Sequence, residues 1–81
     1  MKANTNVNIL VIFGENIKFY RKKFNISQFD LAIEAEIDGK TLRMIENGKV
    51  DVHYATIIKI LSGFQKKERN ITLEELLITN D

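Results

Sequence analysis

Residues 26–49 read ISQFDLAIEAEIDGKTLRMIENGK, and the punctuation of this stretch decides the fold. Ser27, with Asp30 three residues on, has the form of a capping box, in which a hydroxyl accepts from a free backbone amide at a helix start. It opens a short helix whose inner face is Leu31, Ala32 and Ala35. Asp38-Gly39-Lys40-Thr41 opens a second, with Asp38 able to cap the free amides and with Leu42 and Ile45 three apart and inward. Asn47-Gly48 ends it, because both residue types tolerate the left-handed backbone that closes a helix. Ala32 is small where two helices cross closely, and Ile37 plugs the turn between them. Helices of about eight residues are too short to be stable alone in water, so the rest of the chain must hold this pair at a fixed angle.

The flanking sequence supplies that support. Phe13, Ile17, Tyr20 and Phe24 fall at intervals of 4, 3 and 4 and stack on one helix face. Arg21, Lys22 and Lys23 close this first helix, where positive charge suits the negative end of the dipole. Asn25 follows where a left-handed residue is expected, so the helix should run from about Phe13 to Phe24. Ahead of it, Val7, Ile9, Val11 and Phe13 alternate as a strand would, while Leu10 and Ile12 fill the other face. That segment either extends the helix backward or forms a strand or arm against a partner chain. After the central pair, Asp51 is expected to cap a fourth helix along which Tyr54, Ile57, Ile58, Leu61 and Phe64 repeat at helical spacing. Gln65 to Asn70 is a wholly polar hexapeptide, a solvated loop or helix extension. Thr72-Leu73-Glu74-Glu75 is a further capping box and starts a last helix with Leu73, Leu76 and Leu77 inward. The expectation is an all-α fold of five helices, divided into an apolar N-terminal segment or arm (1–12), one domain (13–78) and a short tail (79–81).

A chain of 81 residues has room for one core. Its 44% hydrophobic and 28% charged residues are an ordinary globular balance. The absence of cysteine excludes disulfides, thiolate zinc sites and thiol nucleophiles. The longest apolar run, Ile9 to Phe13, falls far short of the roughly 20 residues that a spanning helix needs. Asn4, Thr5, Asn6 and Asn8 interrupt any signal-peptide core, so a cytoplasmic location is expected. A formal charge of +1 neither demands nor forbids a nucleic-acid partner, and the distribution of charge must decide. Lys66, Lys67 and Arg69 form a basic cluster of the kind that keeps a surface solvated. No nucleophile, base and orienting group form a recognisable constellation, and the four glycines sit singly, so neither catalysis nor a cofactor is expected. His53 has no second ligand beside it for a metal.

The two short helices suit a helix-turn-helix, in which the first element lies across the phosphate backbone and the second enters the major groove. With Leu42 and Ile45 underneath, Gly39, Lys40, Arg43, Met44 and Asn47 point away from the core. The stretch from Phe13-Gly14-Glu15-Asn16-Ile17 to Leu76-Leu77 resembles the Xre/phage-repressor (Cro/C1-type) helix-turn-helix family. The matching marks are Ile17 and Arg21, Ile26-Ser27-Gln28, Leu31-Ala32, Leu42, Ile45-Glu46-Asn47-Gly48-Lys49 and Leu73-Glu74-Glu75-Leu76-Leu77. The resemblance covers about 65 of the 81 residues. It implies a five-helix, lambda-repressor-like DNA-binding domain, similar to small restriction–modification controller proteins and compact phage repressors.

The resemblance also implies roles for individual residues. Arg21 would pair with Glu46 beneath the DNA-binding surface, a structural tether suited to the planar fork of a guanidinium. Gln28 corresponds to a glutamine that hydrogen-bonds a phosphate, and Asn47, Lys49 and His53 would grip phosphate on the other side of the groove. Asp38, Gly39, Lys40, Arg43 and Met44 would face the bases. Lysine or arginine favours guanine, and methionine offers apolar contact, for instance with a thymine methyl. The last helix, with Leu73, Leu76, Leu77 and Ile78, is the expected dimer surface. The implied function is that of a sequence-specific transcription regulator, a homodimer on a palindromic operator of double-stranded DNA, with residues 39–47 in the major groove. The alternative is an antitoxin or adaptor that acts mainly through protein–protein binding. Four departures stand out. Glu36 replaces the usual glycine of the turn, at a cost of about 1 kcal/mol in a strained backbone. Gly39 removes a side chain that often reads a base. Phe19, Phe29 and Ile33 stand where the family is often polar, and hint at extra packing with the leading segment. The Gln65–Asn70 insert lengthens a normally short link.

Overall fold

The computed structural model describes residues 8–79. Asn8 starts the first helix, its side-chain oxygen accepting from the amides of Leu10 (2.9 Å) and Val11 (3.4 Å), a role asparagine fills well. The helix α1 (Ile9–Lys23) therefore begins ahead of Phe13, and the leading apolar stretch is its first turn rather than a strand. Val7 and the residues before it lie outside the described part. The order continues with α2 (Gln28–Ala35), α3 (Gly39–Glu46), α4 (Tyr54–Gln65) and α5 (Leu73–Leu77), with no strand among the described residues.

The first three helices close in the same way. Asn25 (φ 58°), Glu36 (φ 59°) and Gly48 (φ 69°) take the left-handed conformation just beyond α1, α2 and α3. In each case the following amide reaches back to the last turn: Ile26 to the Arg21 carbonyl (2.8 Å), Ile37 to Ala32 (3.0 Å) and Lys49 to Met44 (3.1 Å). The closure satisfies carbonyls that the helix end leaves free and turns the chain sharply. Glu36 does this with a β-carbon, which is the expected strain of the turn.

Two expectations for α4 need correction. His53, not Asp51, occupies the N-cap position, and its side chain makes no capping bond. Val50 and Val52 pack against the core, which holds the loop down and starts the helix beyond the reach of Asp51. Tyr54 is 70% exposed instead of sharing an inward stripe. The face of α4 that turns inward carries Ile60, Gly63 and Phe64. It does so because Gly63 crosses α2 at Ala35, where a Cβ on the glycine would lie 3.0 Å from the Ala35 amide nitrogen. The polar stretch after α4 is exposed from Lys66 to Asn70, and Ile71 anchors its end in the core at 3% exposure. Thr72 and Glu75 then form the reciprocal capping box of α5.

Ile17, Leu31, Leu42, Ile60, Phe64 and Leu76 are the fully buried centre. Around it α2 lies on α4, while α1 packs on both α3 and α5. Two features of α1 govern those contacts. A Cβ on Gly14 would sit 2.5 Å from the carbonyl oxygens of Ile45 and Glu46, so α1 crosses the end of α3 backbone to backbone. Asn16 is buried and donates from Nδ2 to the carbonyls of Leu76 (2.8 Å) and Ile78 (2.7 Å), closing off α5. Close by, burial raises the pKa of the Tyr20 hydroxyl, with the Glu75 carboxylate adding to the effect.

Opposite effects are expected at the two special backbone positions. Gly14→Ala should destabilise the fold by about 1–3 kcal/mol, because backbone carbonyls cannot step aside as side chains can. Glu36→Gly should stabilise it by roughly 1 kcal/mol through relief of left-handed strain. Urea denaturation midpoints at unchanged slope check both.

Candidate nucleic-acid interface

α2, the turn around Glu36 and α3 form a compact two-helix unit whose inner side is fixed by burial. Leu31, Ala32 and Ala35 of α2 and Leu42 and Ile45 of α3 are all below 5% exposed. The outer edge of α3 is open: Gly39, Lys40, Arg43 and Asn47 are exposed, and Met44 is 37% exposed. No atom other than its own neighbours lies within 4 Å of a Cβ built on Gly39, so the start of α3 is bare backbone. Among the described residues neither Lys40, Arg43 nor Lys49 takes part in an ion pair. Asp38 has a structural task, since its Oδ2 accepts from the amides of Lys40 (3.1 Å) and Thr41 (3.3 Å) and caps α3.

Beneath this edge Arg21 and Glu46 meet as the resemblance implies. Arg21 Nε donates to Glu46 Oε2 at 2.7 Å and Nη2 to Oε1 at 3.0 Å, with the two side chains 14% and 2% exposed. A bidentate guanidinium–carboxylate pair has one geometry, so it sets the position of the α3 C-terminus against α1. Arg21 Nη1 also donates to the Ile26 carbonyl at 3.2 Å, one residue ahead of the Ser27 cap, which ties in the start of α2. Gln28 completes the cluster, its Nε2 donating to Glu46 Oε1 at 3.0 Å. That bond had no signal in the sequence beyond the presence of the two residues.

The four side chains expected to meet phosphate lie at element ends. Gln28 begins α2, Asn47 follows α3, Lys49 is in the loop beyond it and His53 precedes α4. Asn47, Lys49 and His53 are exposed, and Gln28 is half-buried. The expected dimer residues are brought together only in part. Leu76 is fully buried and belongs to the core, because α5 is laid on α1 through that side chain. Leu73 and Leu77 are half-buried and Ile78 is 52% exposed, so these three make the surface on offer. Phe19, Phe29 and Ile33 are 46%, 72% and 55% exposed; the leading segment expected to pack against them lies in large part outside the described residues. The inner face of α2 is already occupied by Leu31, Ala32 and Ala35, so the positions opposite them turn outward.

Among the described residues no group of His, Cys, Asp or Glu is placed to hold a metal ion. None of the described helices is long and apolar enough to cross a membrane. The helix-turn-helix domain family model matches residues 14–77. No curated protein matches the chain. Among solved structures, the restriction-modification controller protein C.AhdI from Aeromonas hydrophila is similar, with a TM-score of 0.72 at 27% identity, over 83% of this chain and 94% of that one.

Removing one member of the buried pair should be worse than removing both. Arg21→Met leaves the Glu46 carboxylate without its cation and should cost about 3–5 kcal/mol, while Arg21→Met with Glu46→Met should recover most of that loss. Urea unfolding of the single and double variants measures the difference, and equal losses would contradict it.

Proposed function

This chain belongs to the helix-turn-helix domain family, and on that premise we propose that it is a sequence-specific DNA-binding transcription regulator. It acts as a homodimer on a palindromic operator, with α3 in the major groove. The observation that carries this reading is the two-sidedness of α3. Leu42 and Ile45 are buried at 0% and 2%, while Lys40 and Arg43 stand exposed and unpaired with any described carboxylate on the other edge. Two unneutralised cations on the outer edge of a helix held rigidly from below suit the floor of a groove lined by phosphate and guanine acceptors.

The bases are read by Lys40 and Arg43 at guanine and by Met44 at a thymine methyl. The Asp38 oxygen not engaged in capping is available to a cytosine amino group. Bare backbone at Gly39 lets the start of α3 approach the base edges closely. Gln28, Asn47, Lys49 and His53 meet the flanking phosphates and fix the register, without sequence preference of their own. With a net charge of +1 the chain has little long-range attraction for DNA, so one domain binds weakly and pairing of half-sites supplies useful affinity. Leu73, Leu77 and Ile78 are the proposed dimer surface, and the half-sites lie about one helical turn, roughly 34 Å, apart. The similarity to a restriction-modification controller protein supports the reading as a transcription regulator, and the cytoplasm is its proposed place of action.

A second reading, an antitoxin or adaptor that acts mainly on another protein, is favoured by the exposed Phe19, Phe29 and Ile33. A regulator binds operator DNA alone, whereas an adaptor needs its partner. The test uses the inverted repeat sought immediately upstream of the protein's own gene. Lys40→Ala with Arg43→Ala should weaken binding at least tenfold, since each good base contact contributes about 1–3 kcal/mol. Lys49→Ala should instead weaken all sequences alike and lower the salt slope of a dimer by about 2. Unchanged operator affinity in the Lys40/Arg43 variant would sink the assignment of α3.

A further inference from the structure

Of the four side chains proposed to meet phosphate, Gln28 is the one whose side-chain amide donates to another side chain among the described residues. Its acceptor, Glu46 Oε1, also takes Arg21 Nη2, and Oε2 takes Arg21 Nε, so three donors from two side chains converge on the carboxylate. A carboxylate only accepts hydrogen bonds, so the nitrogen end of the Gln28 amide must face it and the carbonyl end must face away. That nitrogen carries a second N–H, which the bond to Glu46 leaves over. A phosphate oxygen is likewise only an acceptor. One amide nitrogen can therefore bridge the two, a hydrogen to each, provided that the carboxylate behind it does not repel the phosphate. The Arg21 guanidinium meets that condition by neutralising Glu46 at 2.7 Å.

We infer that Glu46 is a positioning residue for DNA binding: its carboxylate holds the Gln28 amide in the arrangement that offers its second N–H to a backbone phosphate. The inference rests on the reading of the chain as a DNA-binding regulator. Its energetic content is pre-organisation. A free glutamine side chain loses rotamer freedom when it grips a phosphate, and one already held loses less. The gain expected for one such side chain is about 2- to 10-fold in affinity per half-site.

The test is a double-mutant cycle on operator affinity at fixed salt, with Glu46→Gln and Gln28→Met alone and together. Glu46→Gln should weaken binding about 2- to 10-fold per half-site in the wild-type background and have no further effect once Gln28 is methionine. An equal loss in both backgrounds would mean that Glu46 acts only by holding the helices, and would overturn the inference. No loss in the wild-type background would do the same. If Glu46→Gln does not fold, the uncharged Arg21→Met/Glu46→Met chain replaces it in the same cycle. An independent readout needs no DNA. Of the two Nε2 protons of Gln28, the one bound by Glu46 should exchange with solvent more slowly than the other in the wild type and lose this protection in Glu46→Gln, and equally fast exchange of the two in the wild type would overturn the link. Failure of the wild-type chain to bind operator DNA would overturn the proposed function and the inference with it, and the amide spectra keep the two failures apart.

Discussion

An eight-residue helix has no stability of its own in water, and α3 is such a helix. Everything proposed for its outer edge depends on what its neighbours impose. Leu42 and Ile45 bury its underside, Asp38 caps its start, and the backbone of Gly14 lies directly against its last carbonyls. The bidentate bond from Arg21 to Glu46 then leaves the C-terminus of α3 one orientation. Each restraint comes from a different part of the chain, so the helix is defined in position as well as in conformation. A reading helix needs both, since base contacts are decided at the scale of a hydrogen bond.

The charge of the molecule is arranged to the same end. Nearly equal numbers of acidic and basic groups leave little overall field, yet among the described residues no carboxylate pairs with the cations on the outer edge of α3. The buried ion pair contributes geometry more than net stability, because desolvation offsets much of its attraction. Elsewhere opposite charges meet, as where Lys66 reaches the Glu34 carbonyl at 2.9 Å and its carboxylate at 3.4 Å. Exposed pairs of that kind contribute little to stability.

Much of this was legible in the sequence because it is written in local patterns. Capping residues at Ser27, Asp38 and Thr72, the left-handed positions at Asn25 and Gly48, and the inward spacing of Leu42 and Ile45 each have a short-range signature, whereas the strained turn at Glu36 was legible only through resemblance. The tether between Arg21 and Glu46 was legible only through resemblance, since the partners are 25 residues apart. What stayed hidden was tertiary. The missing side chain of Gly14 acquires meaning only when another backbone arrives. Asn16 did leave a signal, a polar residue among Phe13, Ile17 and Tyr20 on one face, but its carbonyl partners lie at the far end of the chain. Leucine spacing in α5 could not separate core from interface, because both environments take the same side chain, and Leu76 went to the core. At α4 the choice between Asp51 and His53 as the starting residue was made by Val50 and Val52 packing inward, which no local rule expresses.

Two hydrogen-bonding side chains of α1 reach opposite neighbours: Asn16 holds the end of α5, and Arg21 holds the end of α3. They are five positions apart on one uninterrupted helix, about 7.5 Å along its axis. In a homodimer joined through α5, the separation of the two reading helices would thus be gauged by a rigid rod rather than by a hinge. Such an assembly behaves as a caliper with fixed jaws. It would measure the spacing between half-sites as strictly as it reads their letters, and an operator lengthened by a single base pair would present its second half both too far away and rotated out of reach.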